Sequence, residues 1–507
     1  MSLENNKRIA KNTIYLYIRT GVTMLVSLYT SRIVLNALGL EDYGIWGVLG
    51  SIISMFGFIN QSLSSSIFRY ITHAIGTKDN DAINRTYSAS IIIHIGLALV
   101  IFILCETLGL GFVNKNLVIP DVKRHMANIV FHLVVINSAI SLLAVPFNAV
   151  IIAYERMNVY AYLTIVDTLF KLLIAAVVFW VPSNKLIWYA VMMLVITIAM
   201  LVFYYTYVRL SFVNLRFQHI RDKSLFKSLL NFSGWSMWGN LAYVGYSQGL
   251  NMLLNVFYGP MVNAARSISL QIEQSVRTFV TNFQTAVNPQ IIKNYAQDEF
   301  AQMHLLMFRS SRFSFYLLLF FAVPIVLETN IILILWLKQV PEHTIAFVRI
   351  MFAVIALEVI SNSVMTGVVA TGNIKKYQIV VGSILLMIVP ISYVVLRLGA
   401  PAESVFIIYL VVEVFAVIAR LIIAKGLIKL SVWEFWNQVI AKVMFVLVGS
   451  LVPPLVIHIF FQASIIRLIV VLVVGCLSTG LAIYLLGLDE REKDLVLSTL
   501  RQKLHFL

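Results

Sequence analysis

Residues 265–284 read ARSISLQIEQSVRTFVTNFQ, a run of membrane-crossing length that nevertheless carries Arg266, Glu273 and Arg277. A helix turns about 100° per residue, so the seven-residue and eleven-residue steps from Arg266 each land within roughly 20° of the start. The three charges therefore share one stripe and leave the rest of the helix free for apolar contact. A hydrocarbon layer of about 30 Å needs roughly 20 residues of helix, and apolar runs of that order recur along all 507 residues. The chain is 60% hydrophobic and 12% charged, with a mean hydropathy of +0.89, against about a quarter charged in soluble domains. These values predict an all-α, polytopic membrane protein with about 14 transmembrane helices.

The net charge of +15 would suggest a nucleic-acid partner in a soluble protein, but its placement explains it otherwise. Most of the 38 Lys and Arg fall in loops of one parity, as the positive-inside rule requires of cytoplasmic loops. That rule puts Lys7, Arg8, Lys11, Lys78, Arg85 and the cluster Arg209, Arg216, Arg221, Lys223 and Lys227 inside, with both termini cytoplasmic. Cys105 and Cys476 lie in apolar runs and read as small buried hydrophobes, with no disulfide framework. The basic start imitates a secretory signal, yet the run from Asn12 to Leu38 is too long for one and lacks a small-residue cleavage pattern. It reads as the first membrane helix.

Features of the first half return at an offset of roughly 218 residues, the mark of an internal repeat. Asn12 and Asn36 bracket the first span, 12–38, as Asn231 and Asn255 bracket the seventh, 228–258. AYERMNVY (153–160), after the fourth span, is matched by ATGNIKKY (370–377). The long polar exit of the second span, 43–72, resembles that of the eighth, 261–292. A six-helix unit returns the chain to its starting side, so the two copies should be parallel, related by an axis along the membrane normal, and should enclose a central cavity. The expected organisation is an N-terminal six-helix lobe (1–208), a basic cytoplasmic linker (209–227), a C-terminal six-helix lobe (228–425), and two additional helices with a cytoplasmic tail (426–507).

Ionisable groups inside membrane spans cost several kcal/mol and mark function by default. They include Arg19, Arg32, Arg69, Asp167, Lys171, Arg266, Glu273, Arg277, Arg349, Glu358, Glu413 and Arg420. Asp167 and Lys171, four residues apart, can neutralise each other; Arg32, Arg69 and Arg420 lie near span ends and can reach the interface by snorkelling. Cations still outnumber anions. Gln274, Gln284 and Asn288 continue the polar face of the eighth span, and NFSGWSMWGNLAYVGYSQGLN (231–251) makes the seventh rich in Gly, Ser and Asn. Such faces must line protein or water rather than lipid, and guanidinium groups in a cavity wall suit phosphate through paired donors. Arg19, Arg69, Arg266 and Arg277 are the candidate substrate-binding cations, and Glu273, Asp167, Lys171 and Glu358 candidates for coupling or charge positioning. Pro146, Pro289, Pro324 and Pro390 are candidate hinges.

Catalytic and metal signals are weak. Asp79-Asn80-Asp81 stands in a short polar loop and reads as a solvated turn. The nine His show no HExxH spacing, and no Gly-rich phosphate loop follows a strand. A membrane glycan polymerase would need a large outer loop for acceptor chemistry, so a non-enzyme is expected.

The opening NTIYLYIRTGVTMLVSLYTSRIVLNALGLEDYGIWGVLGSI (12–52), the AYERMNVYA loop and the 6 + 6 + 2 organisation resemble the multidrug/oligosaccharidyl-lipid/polysaccharide exporter superfamily. Within it they resemble the polysaccharide transporters called O-antigen or repeat-unit flippases. The resemblance implies two lobes in a V around the cavity, alternating access, and transport of an undecaprenyl-diphosphate-linked oligosaccharide across the bacterial cytoplasmic (inner) membrane for lipopolysaccharide or other surface polysaccharide. Related lipid II flippases place essential arginines in the first, second and eighth helices, which by position implies Arg19, Arg69 and Arg266. The drug exporters' acidic residue in the first or seventh helix has no counterpart, which disfavours a cation-coupled multidrug antiporter and leaves the coupling ion, H+ or Na+, open. Membrane lipid and other polysaccharide assembly proteins are the implied partners, with no cofactor and no nucleic acid.

Overall fold

The computed structural model describes residues 3–39, 42–43, 45–46, 49, 57–116, 121–218, 222–337, 340–490 and 492–494. Among them every regular element is helical. The first unit of chain order holds α1 (Leu3–Leu38), α2 (Gly57–Gly76), α3 (Asn80–Leu104, running on through a π turn to Asn116), α4 (Asp121–Leu143 and Val145–Ala153), α5 (Met157–Phe179) and α6 (Lys185–Ser211). There follow α7 (Lys223–Tyr258), α8 (Pro260–Ala296), α9 (Phe300–Leu327 and Thr329–Leu337), α10 (Thr344–Ala370), α11 (Lys375–Leu386 and Ile388–Arg397) and α12 (Ser404–Ile428). The chain closes with α13 (Val432–Phe435, a π segment, then Lys442–Phe460) and α14 (Ile465–Ala482, with a last π turn to Gly487). Much of the first part of the expected span 43–72, Arg221, and the tail beyond residue 494 lie outside the described residues.

Among the described residues eleven helices are long and apolar enough to cross a membrane, against the fourteen spans expected. The elements that fall short are α2, α7 and α8, and for α7 and α8 the reason is composition. Their 36 and 37 residues carry the Asn, Gln, Ser and charged positions that dilute the apolar signal. The surface confirms the solvent: Leu25, Leu108, Trp180, Leu210, Phe460 and Ile466 are each at least 72% exposed. In water such a coat would be an aggregation surface, whereas hydrocarbon solvates it. This is a multi-pass membrane protein.

The chain separates into two compact units, Met1–Asn240 with Ile292–Glu299, and Leu241–Ile291 with Phe300–Leu507. Each packs its helices by the same scheme. In the first, α4 lies against α3 and α6, and α5 against α6; in the second, α10 lies against α9 and α12, and α11 against α12.

The turns repeat as well. Positive φ occurs at Gly39 and Gly259 (81° and 78°), at Lys78 and Asp298 (57° and 58°), and at Glu155 and Gly372 (59° and 76°), each pair at the offset the repeat predicts. After α2 the chain closes with Lys78 N–H donating to the Ile75 carbonyl (3.2 Å) and Asp79 N–H to that of Ala74 (3.0 Å). After α8, Asp298 donates to Tyr295 (3.1 Å) and Glu299 to Asn294 (2.9 Å). Both are Schellman closures that satisfy otherwise orphaned carbonyls.

Glu155 is costly where its counterpart is glycine, since the left-handed conformation disfavours a side chain by about 1–2 kcal/mol. Its carboxylate is 1% exposed and holds Arg8 Nε at 2.9 Å and Lys293 Nζ at 2.5 Å. Breaking a buried pair costs about 3–5 kcal/mol, so the ionic loss outweighs the relief of strain. Glu155→Gly is expected to be less stable than the parent by about 1–4 kcal/mol in thermal unfolding of the detergent-solubilised protein; equal or greater stability would show that the carboxylate is dispensable.

The prolines act unequally. Pro146 lies in the first turn of the second segment of α4, which starts at Val145 after a break at Ala144. Pro390 clashes with the carbonyl four residues back, and the first segment of α11 ends at that residue, Leu386. Pro289 and Pro324 lie inside α8 and α9 without ending them.

Candidate functional site

The stripe read from the sequence exists, and it faces the interior of the second unit. Glu273 Oε1 accepts from Arg277 Nη2 at 2.7 Å, and Glu273 Oε2 stands 3.7 Å from Arg266 Nη1. The other edge of the Arg277 guanidinium, through Nη1, pairs with Glu358 Oε2 on α10. Arg266 lies over the ring of Phe406 on α12, 5.0 Å from its centre, and its buried Nε and Nη1 have no hydrogen-bond partner among the described residues.

Two tyrosines extend the cluster. Tyr409 of α12 donates to Glu358 Oε1 at 2.9 Å and lies 3.0 Å from the hydroxyl of Tyr246 on α7. A hydroxyl has one proton, so Tyr246 must donate to Tyr409. One turn along α12, Glu413 pairs with Arg420 at 2.5 Å, and Arg420 also donates to Ser361 of α10 at 2.8 Å. Arg420 therefore does not snorkel; its side chain is 11% exposed and bound to Glu413 and Ser361 within the unit.

Exposure grades across the cluster. The side chains of Arg266 and Glu273 are 3% and 4% exposed, those of Arg277 and Glu358 22% and 14%. Arg277 is thus the more accessible of the two α8 cations. Beyond it runs a polar seam between α8, α9 and α10. Asn362 donates to Gln284 (2.6 Å), Gln284 to Ser314 (3.2 Å), Thr366 to Asn288 (3.1 Å) and Ser363 to Ser310 (2.8 Å). Small hydroxyl residues that let membrane helices approach and bond across the contact account for this seam.

The other candidates lie in the first unit. Arg19 of α1 stacks 5.0 Å from the ring centre of Tyr160 on α5, and Asp167 and Lys171 on that same helix pair at 2.7 Å, as their spacing predicts. Arg69 is 7% exposed and stacks on Tyr70 at 4.5 Å. Asp79 caps α3, accepting from Ala82 N–H at 2.9 Å, and Asp81 pairs with Arg85 at 3.1 Å. The DND stretch is a capped turn.

Sequence reading passed over Tyr246, Tyr409 and Phe406. A signal existed for Tyr409, because steps of four and eleven residues put Glu413 and Arg420 on its face of α12. It also passed over Arg312, 2% exposed on α9, which holds Asp489 (3.2 Å) and Glu492 (2.9 Å).

The geometry can be set beside known proteins. Residues 9–295 match the family model described as polysaccharide biosynthesis protein. Among solved structures the chain is similar to a MOP superfamily transporter from Pyrococcus furiosus, with a TM-score of 0.73 at 14% identity over 84% of this chain and 96% of that one. An outward-facing multidrug resistance MATE family transporter of the same superfamily gives 0.71, and MATE in complex with MaD3S gives 0.74, at the same identity and coverage. At that identity the likeness establishes the fold alone. No curated protein matches significantly in sequence.

Proposed function

Because the chain belongs to the polysaccharide biosynthesis protein family and has the MOP transporter fold, we propose that it is a flippase. Its cargo is an undecaprenyl-diphosphate-linked oligosaccharide repeat unit, moved across the bacterial cytoplasmic membrane by alternating access for surface polysaccharide such as O-antigen. The observation that carries this reading is the graded guanidinium cluster of the second unit. Arg277, the more exposed of its two α8 cations, carries the paired donors that suit a phosphate oxygen pair; in this structure they are held by Glu273 and Glu358, which a phosphate would displace. Arg19 and Arg69 supply cationic positions in the first unit.

In this reading residues 1–208 and 228–425 act as the two lobes, 209–227 as a cytoplasmic linker, and both termini lie inside. Other polysaccharide assembly proteins receive the cargo. The prenyl chain stays in lipid while the sugars cross a polar interior, since sugar hydroxyls cannot be solvated by hydrocarbon.

The test is reconstitution. In liposomes containing the purified protein, a fluorescent lipid-linked oligosaccharide in the inner leaflet should become accessible to an external lectin far faster than in empty vesicles. No acceleration would end the flippase reading. The carboxylates Glu273, Glu358 and Glu413 favour one competitor, a cation-coupled multidrug antiporter. That reading requires the same vesicles to accumulate cationic dyes and requires Glu273 for it.

A further inference from the structure

We infer that a groove on the lipid-facing side of the first unit, between α3, α4 and α6, binds a lipid alcohol whose hydroxyl donates to His94 while its hydrocarbon chain lies along α3 and α4. The site lies outside the charge cluster of the second unit and is independent of the flippase reading. Its origin is the break in α4. Pro146 supplies no N–H to the helix, α4 is interrupted at Ala144, and Leu143, Pro146 and Phe147 around the break wall a cavity of about 310 Å³ with His94 and Ile95 of α3 and Tyr205 of α6. A second cavity of about 320 Å³ continues between α3 and α4, against Ala98, Phe102, Ile136 and Ile140, and shares Ile95 and Leu143 with the first.

The shape suits one extended chain. On α3 the lining residues run Ile91, His94, Ile95, Ala98, Leu99, Phe102, a single stripe at helical spacing about 16 Å long. Each cavity reaches the size at which small-ligand sites begin, about 300 Å³. Ile95, Val202 and Tyr205 are each about half exposed, so the groove opens sideways to lipid.

His94 separates this groove from a mere packing defect. The residue is fully buried, and its Nδ1 stands 2.9 Å from the Ser90 carbonyl on the preceding turn. A carbonyl only accepts, so Nδ1 carries the proton and Nε2 of the neutral ring is an acceptor. That nitrogen has no hydrogen-bond partner among the described residues. Because Nδ1 is turned back to the α3 backbone, the opposite edge of the ring, with Nε2, is the one presented to the cavity that His94 lines.

The ligand class follows from what the walls offer. A buried acceptor without a donor is unfavourable, and a donor brought to it recovers that loss. Water fits poorly, since it needs two to four polar partners and the lining side chains other than His94 and Tyr205 are hydrocarbon. No cation lines either cavity, so nothing there holds an anionic headgroup. A neutral hydroxyl on a long chain supplies the one donor and fills the apolar remainder.

Depth agrees with this orientation. The backbone N–H groups of Arg216 and Gln218 in the linker donate to Asn84 Oδ1 and Ser88 Oγ, each at 2.8 Å, which marks the polar boundary on α3. His94 lies roughly 9 Å beyond Ser88 along the helix, and the rest of the stripe leads further from the boundary. A lipid of that leaflet enters with its hydroxyl nearest the boundary and its chain toward the bilayer middle, as it already stands in the membrane.

The test uses the purified full chain in nanodiscs, photolabelled with a hexadecanol that carries a diazirine in its chain, with unlabelled hexadecanol or its methyl ether as competitor. The ether keeps the chain and an acceptor oxygen but has no donor. On the parent protein, label should map to peptides of α3, α4 and α6, and the alcohol should compete at about a tenfold lower concentration than the ether, the ratio one recovered hydrogen bond allows. His94→Phe should bring the two competitors to within about twofold of each other. Ile95→Trp, which fills the junction of the two cavities from the lipid side, should abolish labelling there. The parent's own ratio needs no variant, so misfolding of His94→Phe would not hide the answer. Equal competition by alcohol and ether on the parent, label spread evenly over the lipid-facing helices as for annular lipid, or undiminished label in Ile95→Trp overturns the site.

Discussion

On the proposed flippase function, Arg277→Ala is expected to lower export of a lipid-linked glycan by about ten- to a hundredfold, and Arg266→Ala by less. The magnitude follows from the bonds removed: a hydrogen bond to a charged partner contributes about 1.5–3 kcal/mol, and each 1.4 kcal/mol is a factor of ten. The ranking follows from exposure, since Arg277 is 22% and Arg266 3% exposed, so a ligand reaches the first without dismantling the second.

Removing Arg277 also strips Glu273 and Glu358 of their shared cation, so the loss must be separated from simple unfolding. Arg277→Lys does this. It keeps the charge but cannot bridge two carboxylates or present a planar fork to phosphate, and export by it should fall between the parent and the alanine variant at unchanged protein level. Export is read as surface polysaccharide in cells, with membrane abundance by immunoblot. Full export by a well-expressed Arg277→Ala would exclude the cluster as the anion site.

How much of this was legible depended on whether the signal was local. The stripe of Arg266, Glu273 and Arg277 follows from helical geometry alone, as does the pair of Asp167 and Lys171. Glu358 was visible as a charge out of place, but its pairing with Arg277 is tertiary, fixed by how α10 packs near α8, and no spacing encodes it. Arg420 shows the same limit. Its position near a helix end predicts snorkelling, and only the presence of Glu413 and Ser361 beside it reverses that.

The repeat was faint for a different reason. Backbone conformation is kept at equivalent turns while the residue is not, so Lys78 matches Asp298 and Glu155 matches Gly372 in φ without matching in chemistry. Composition hides α7 and α8 from a test of apolar length, because their polar faces build and adjoin the site.

Glu328→Ala and Arg312→Ala should each release one end of the α13–α14 pair, and their effects should add. The two helices pack most extensively against each other and lean on α9. At their joined end Glu328, 1% exposed, binds His458 Nδ1 at 2.9 Å and Arg467 Nη2 at 2.8 Å. At their open end Arg312 and Arg309 hold Glu492, while Asp489 is shared between Arg312 and Lys442.

Truncating one member of a buried pair costs about 3–5 kcal/mol when the partner is stranded. Here the partners keep second contacts, Arg467 with the Phe461 carbonyl at 2.9 Å and Glu492 with Arg309, so about 1–3 kcal/mol each is expected. Arg312 and Glu328 are separated by roughly 24 Å of helix, beyond the range at which substitutions couple. Hydrogen exchange of α13 and α14 reads the loss directly, and a double variant no worse than the worse single one would mean that the pair detaches as one cooperative piece.

Acid gives an independent check on the open end. Burial alone would raise the Asp489 carboxyl, but its bonds to Lys442 and Arg312 outweigh that and hold it below the usual range. Its contribution is therefore complete above the ordinary carboxylate value and is lost only as pH falls through the depressed one. Exchange at that end should stay slow at mildly acidic pH and quicken only below about pH 4.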